Sequence, residues 1–160
     1  MRKATPATHS TWRNDWYDTS NSGGRFVRKD SLFRNWITRD GAPGPTGTGG
    51  FKAEKGRYHL YISMACPWAH RTLITRKLKG LENCFSVSNT KPYMGPLSWS
   101  FEPEQGRLFL PDTARDETVD ASNDEYVEYL FELYQLVDPD YSGRATVPVL
   151  WDKQQQTIVS

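Results

Sequence analysis

Tyr58-His59-Leu60-Tyr61-Ile62-Ser63, followed by Met64-Ala65-Cys66-Pro67-Trp68-Ala69-His70-Arg71, is the stretch whose reading decides the fold. Its first six residues are aromatic and branched, the composition of a strand. Pro67 suits the first position of a helix, where its missing N–H would go unbonded in any case. From Pro67 to Lys79, the apolar residues Leu73, Ile74 and Leu78 recur at helical spacing among Arg71, Arg76, Lys77 and Lys79, and Gly80 stands where a C-terminal cap is expected. Phe85-Ser86-Val87-Ser88 alternates and predicts a second strand, which closes a βαβ unit with two parallel strands and a right-handed crossover.

Beyond this unit, a polar connection with Pro92, Pro96, Trp99, Pro103 and Pro111 is poor material for regular structure. Asn123 to Val137 reads as an amphipathic helix with Tyr126, Leu130, Leu133 and Val137 on one side. Ser122 or Asn123 is its N-cap, and Asp138-Pro139-Asp140 stops it. Thr146-Val147-Pro148-Val149-Leu150-Trp151 predicts a third strand, Asp152 to Gln156 a turn, and Thr157-Ile158-Val159 the opening of a fourth. The order is β-α-β-α-β-β. On the N-terminal side, residues 1–57 place Trp12, Trp16, Tyr17, Phe26, Phe33 and Trp36 among polar residues with no sustained period. They predict an aromatic arm laid against another surface. Gly41 to Gly50 within it is a turn-rich, glycine-rich loop. It lacks the lysine and hydroxyl residue of a phosphate loop and does not match G-x-G-x-x-G.

With 160 residues the chain holds one core and an appendage. Its 20 Lys and Arg against 19 Asp and Glu leave a net charge of +1, which supplies no field for a phosphate backbone or an anionic membrane, so no nucleic-acid partner is expected. No apolar run reaches the roughly 18 residues that span a bilayer. The polar residues after Met1-Arg2-Lys3 differ from a secretory signal, and a cytoplasmic location is expected. Two cysteines, Cys66 and Cys84, are too few for a disulfide scaffold.

The chemistry concentrates at Cys66, which Pro67 at the first helical position makes the N-cap. A thiolate there can accept hydrogen bonds from free amides and feels the positive end of the helix dipole, both of which lower a thiol pKa. Arg71 and His70, about one turn on, are candidate thiolate stabilisers if their side chains turn back. Ala69 stands where a Cys-x-x-Cys motif carries its second cysteine, so the expected reaction is monothiol: a mixed disulfide with a small thiol, resolved by another molecule of it. Cys84, 18 residues on, reads as a packing residue. Pro148 inside an apolar run marks an edge strand, a bulge or a cis bond. Cys66-x-x-x-His70 offers two metal ligands where zinc takes three or four, and no partner pair stands out among His9, His59 and Cys84, so no metal is expected.

At Cys66-Pro67-Trp68-Ala69-His70-Arg71 the sequence closely resembles the glutathionyl-hydroquinone reductases, the Xi class of glutathione transferases. The resemblance extends through Phe33-Arg34-Asn35-Trp36-Ile37-Thr38, Gly44 to Phe51, Tyr58 to Tyr61, Arg76 to Glu82 and Tyr141 to Asp152. It implies an α/β, thioredoxin-like fold over residues 58–160 that binds glutathione as cosubstrate, preceded by the arm of residues 1–57. It further implies that Cys66 is the catalytic thiolate and that Pro148 is the family's cis-proline. Val147 is then expected to pair through its backbone with the cysteinyl part of glutathione, and Trp99 to lie beside glutathione, in Ser98-Trp99 where the family usually has Gly-Trp. The small-molecule substrate implied is a glutathionyl-hydroquinone. The family is homodimeric and continues past the position of Ser160 with a Glu-Ser pair for the γ-glutamyl end, a last thioredoxin-fold helix and an all-helical C-terminal domain. These 160 residues are thus expected to be an N-terminal portion with weak or no turnover alone. A glutaredoxin-like thiol transferase and a non-catalytic fragment with inert Cys66 are the alternatives.

Overall fold

In a computed structural model of the chain, residues 2–3, 19–27, 30–102 and 125–160 are described. Their elements are β1 (Arg2–Lys3), a 3-10 turn (Ser20–Ser22), β2 (Tyr58–Ile62), α1 (Pro67–Leu78), β3 (Ser86–Asn89), β4 (Met94–Gly95), β5 (Ser98–Trp99), β6 (Glu125–Tyr126), α2 (Leu130–Val137), β7 (Val149–Asp152) and β8 (Thr157–Ile158).

All residues of β2 are buried, which suits its aromatic and branched composition to the middle of a sheet. A four-stranded sheet forms in the order β3-β2-β7-β8. β3 runs parallel to β2, from His59 opposite Ser86 to Ile62 opposite Asn89, as the βαβ reading expects. β7 runs antiparallel to β2, with Tyr58 opposite Asp152 and Tyr61 opposite Val149, and β8 pairs antiparallel with β7. Alternation divides the core. Leu60 and Ile62 face α1 through Ala69 and Leu73, whereas Tyr61, Val149 and Trp151 share a cluster with Leu130, Phe131, Leu133 and Tyr134 of α2.

The first helix has the expected start and ends one residue early, with Lys79 as its cap and Gly80 at φ +64° behind it. Its expected apolar face is corrected. Leu73 packs on the sheet, but Ile74 and Leu78 are 58% and 80% exposed, because they lie about 100° and 140° round the helix from Leu73.

The second helix is also corrected. It begins at Leu130, and Tyr126 pairs as a strand parallel to β1 rather than lining a helix. The Glu132 carboxylate accepts the backbone N–H of Glu128 at 2.6 Å and of Tyr129 at 2.9 Å, which closes the helix end there. Ahead of it, Phe101 N–H donates to the Glu128 carbonyl and Ser100 bridges Tyr129, so this backbone is committed to extended pairing. The cap candidates Ser122 and Asn123, with Pro103 and Pro111, lie outside the described residues, as do Trp12, Trp16 and Tyr17.

The third strand starts at Val149 rather than Thr146. The Tyr134 hydroxyl donates to the Thr146 carbonyl at 3.0 Å and accepts the Thr146 N–H at 3.3 Å, so Thr146 is tied to α2 instead of a neighbouring strand. Residues 90–102, read as irregular, contain the β4–β5 hairpin.

Residues 30–57 wrap the sheet with little regular structure. Phe33 meets the Tyr134 ring edge-on at 5.6 Å, Asn35 N–H donates to the Val159 carbonyl, and Thr38 bridges Lys52. The glycine loop folds back over the same segment. Trp36 Nε1 donates to Thr46 Oγ1 at 2.9 Å, and a Cβ on Gly44 would collide with the Trp36 ring. Nearby, buried Arg57 grips buried Asp152 through Nε at 3.1 and 3.0 Å and reaches the Gly50 carbonyl through Nη2 at 2.7 Å. This clamp lies at the N-terminal end of β2, opposite the end that leads to Cys66.

Candidate active site

β2 ends at Ile62, and four residues carry the chain from the sheet to the first turn of α1. That loop is pinned on both sides. Cys66 N–H donates to the Ser63 carbonyl at 3.0 Å, Ala65 N–H to Ser63 Oγ at 3.3 Å, and Met64 N–H to Asn89 Oδ1 at 3.0 Å. Thr90 N–H donates to the Ile62 carbonyl at 2.8 Å, so the ends of the parallel strands hold the loop between them.

Cys66 is the N-cap of α1, at φ −100° and ψ 117°, with Pro67 at N1. Extended backbone at the cap with helix immediately behind it is the arrangement expected from Cys-Pro. The side chain, however, makes no capping hydrogen bond. Instead the half-buried thiol donates to the Val147 carbonyl at 3.5 Å. A thiolate has no proton to give that carbonyl, so loss of the proton frees the Val147 oxygen for an incoming N–H donor. The Val147 N–H makes no hydrogen bond among the described residues. The Val147–Pro148 peptide is cis, which resolves the three readings left open for Pro148.

The structure thus brings Cys66, Val147 and Pro148 together. Trp99, half-buried on β5, borders the same apolar cluster that Cys66 touches. His70 and Arg71 are not brought to the sulfur. Neither makes a hydrogen bond to it, His70 is exposed, and the Arg71 guanidinium lies 4.3 Å from the centroid of the Trp68 ring, three residues back on the same helix. What remains beside the sulfur is the positive end of α1, whose first turn carries no acidic residue.

Three supports of the site escape the sequence reading. Asn89 and Ser63 hold the loop, and Tyr134 holds Thr146, the residue before Val147. Asn89 could have been found from topology, because the C-terminal ends of neighbouring parallel strands meet at one edge. Tyr134 carries no such signal. Burial raises its hydroxyl pKa, and the hydrogen bonds with Thr146 oppose that shift.

Two grooves lie away from the sulfur. One of about 440 Å³ runs between Trp36, Ile37, Leu150 and Val159, and one of about 310 Å³ between Arg71, Thr75, Arg76 and Phe85. Among the described residues no group of three His, Cys, Asp or Glu could hold a metal ion, and no helix is long and apolar enough to cross a membrane.

Residues 65–160 match the family described as glutathione S-transferase, N-terminal domain. Among curated proteins, glutathionyl-hydroquinone reductase YqjG of Escherichia coli K12 is 57% identical over 149 residues, covering 93% of this chain and 42% of that protein. Glutathionyl-hydroquinone reductase PcpF of Sphingobium chlorophenolicum is 45% identical over 149 residues, covering 93% and 41%. The chain therefore spans about two fifths of the length of these relatives. The glutathione-bound structure of YqjG superposes with a TM-score of 0.64 at 59% identity, covering 80% of this chain and 38% of that one. The Xi transferase of Phanerochaete chrysosporium superposes with a TM-score of 0.63 at 44% identity, covering 87% and 39%.

Proposed function

Because the chain belongs to the glutathione S-transferase family and carries its thioredoxin-like N-terminal domain, we propose that it serves the glutathione-dependent reduction of glutathionyl-hydroquinones, with Cys66 as nucleophile. The Cys66 thiolate attacks the sulfur of the adduct and forms an S–S bond. The bond between that sulfur and the ring carbon breaks, its electron pair leaves with the ring, and the carbon takes up a proton to give the hydroquinone. A second glutathione thiolate then attacks the bound glutathione sulfur, releasing glutathione disulfide and restoring Cys66.

In this reading the backbone of Val147 pairs with the cysteinyl part of glutathione, Pro148 shapes the turn that presents it, and Trp99 flanks the peptide. Residues 58–160 form the glutathione-binding unit, preceded in the chain by the arm and glycine-rich loop of residues 1–57. Reduced glutathione is available in a reducing compartment, so we place the reaction in the cytoplasm. Two glutathionyl-hydroquinone reductases at 57% and 45% identity support the substrate class.

The single observation that carries the reading is the Cys66 thiol at the start of α1, 3.5 Å from the Val147 carbonyl and beside cis-Pro148. Incubation with a glutathionyl-hydroquinone should release hydroquinone and add one glutathione to Cys66, seen by mass spectrometry. Cys66→Ala should abolish both. Hydroquinone release that survives this substitution would sink the proposal.

A glutaredoxin-like transferase acting on protein mixed disulfides is the second reading, favoured by the exposed Met64 and Trp68 that flank Cys66 in the chain. Faster turnover of a glutathionylated peptide than of the hydroquinone adduct would select it.

A further inference from the structure

The segment that delivers Val147 to the sulfur is held by two tyrosine hydroxyls. Ala145 and Val147 are buried, but Thr146 between them is exposed, so its own side chain does not fix the backbone there. Tyr141 Oη donates to the Arg144 carbonyl at 2.7 Å, and Tyr134 Oη takes both peptide groups of Thr146, the carbonyl at 3.0 Å and the N–H at 3.3 Å. The two rings are seated as a set: their centroids lie 4.8 Å apart, and Phe33 meets Tyr134 at 5.6 Å and Tyr141 at 6.4 Å. A trans peptide is planar, with its C=O and N–H pointing in opposite directions. The Thr146–Val147 peptide is trans, so a hydroxyl that holds its carbonyl also sets the direction of the Val147 N–H, turned away from Tyr134. The next carbonyl along, that of Val147, accepts the Cys66 thiol at 3.5 Å. Tyr134 is thus one peptide unit from a group that touches the reacting sulfur.

We propose that Tyr134 is a positioning residue for glutathione: seated by Tyr141 and Phe33, its hydroxyl fixes in advance the peptide whose N–H, together with the Val147 carbonyl, pairs with the cysteinyl part of the ligand. The proposal rests on the reading of Val147 as the backbone partner of glutathione beside Cys66. A donor and an acceptor already held in place spare the ligand the cost of ordering them, so the hydroxyl contributes to capture rather than to the exchange at sulfur. Its loss therefore weakens the hold on disulfides that carry glutathione and leaves the attack of Cys66 on a disulfide without peptide groups unchanged.

The test follows single-turnover labelling of Cys66 in the full chain by two probes, the mixed disulfide of glutathione with 2-mercaptoethanol and the symmetrical disulfide of 2-mercaptoethanol. With either one the Cys66 thiolate attacks a sulfur, the S–S bond of the probe breaks, and 2-mercaptoethanol leaves as its thiolate. Tyr134→Phe, which keeps the ring, is expected to raise the half-saturating concentration of the glutathione probe roughly fivefold, with its limiting rate and the rate of the peptide-free probe held within about twofold. Tyr141→Phe should move the same quantity in the same direction by about twofold, and decides by the same criterion if Tyr134→Phe does not fold. Gly80→Ala, a substitution just past the other end of α1, is the control for lost stability and should alter neither probe. A Tyr134→Phe chain that slows both probes alike, or shifts the glutathione probe no more than Gly80→Ala does, would overturn the proposal and leave the hydroxyl a structural tie. An unaltered chain with no preference for the glutathione probe would overturn the pairing of Val147 on which the proposal stands, and one labelled by neither probe would overturn the role of Cys66.

Discussion

His59 shows how burial dominates the behaviour of a titratable residue. It sits in the middle of the sheet with its ring 4.5 Å from that of Tyr61 and its Nδ1 2.6 Å from Ser86 Oγ. Burial, with the charge of Lys153 adding to it, pushes its pKa down to about 3. The unfolded chain binds this proton near pH 6.5 and the folded chain does not, so the native state loses stability as pH falls from 6.5 towards 3. Between pH 7 and pH 5 the loss is about 2 kcal/mol. Urea midpoints measured across that range should fall for the native sequence and flatten for His59→Gln. At this scale Cys66 was legible because proline can occupy the first helical position and so marks the residue before it as the cap. The orientation of Arg71 was not. A guanidinium one turn from a thiol is also three residues from an indole, and the contact with that neighbour won.

Helix boundaries follow from a few backbone groups rather than from the apolar stripe. The first helix is terminated by Gly80 at φ +64°, with Leu81 N–H donating to the Arg76 carbonyl at 2.9 Å. No atom crowds a Cβ at this position, so the cost of Gly80→Ala comes only from the left-handed backbone. That substitution should lower stability by about 1 kcal/mol in chemical denaturation, and Gly80→Asn by less. The start of the second helix could not be read in this way. The spacing of Tyr126, Leu130, Leu133 and Val137 continues through the true boundary, and the capping carboxylate belongs to Glu132, two residues inside the helix. Tyrosine is not a preferred cap, so nothing at Tyr129 announced the start.

Across the whole molecule, the irregular residues 30–57 and the β7–β8 turn are joined by one buried ion pair. Asp152 receives Arg57 and also accepts the N–H of Gln154 at 2.9 Å and of Gln155 at 3.2 Å, so a single carboxylate closes the turn and anchors the preceding loop. Asp152→Asn leaves the buried guanidinium with Glu54, at 3.1 Å from Nη1, as its remaining carboxylate and should cost about 3 kcal/mol, measurable as a shift in urea midpoint. The order β-α-β-α-β-β was visible in the spacing of apolar residues along the chain, and its thioredoxin-like character in the family resemblance. These tertiary ties were not, since Arg57 and Asp152 are 95 residues apart and neither position shows a local pattern. Tyr134 makes the same kind of tie between a helix and the site. Its single hydroxyl both gives to and takes from Thr146, so the far layer of the protein acts as a spring behind the carbonyl that faces the sulfur. A disturbance that loosens the rear layer is thereby felt at the reactive edge.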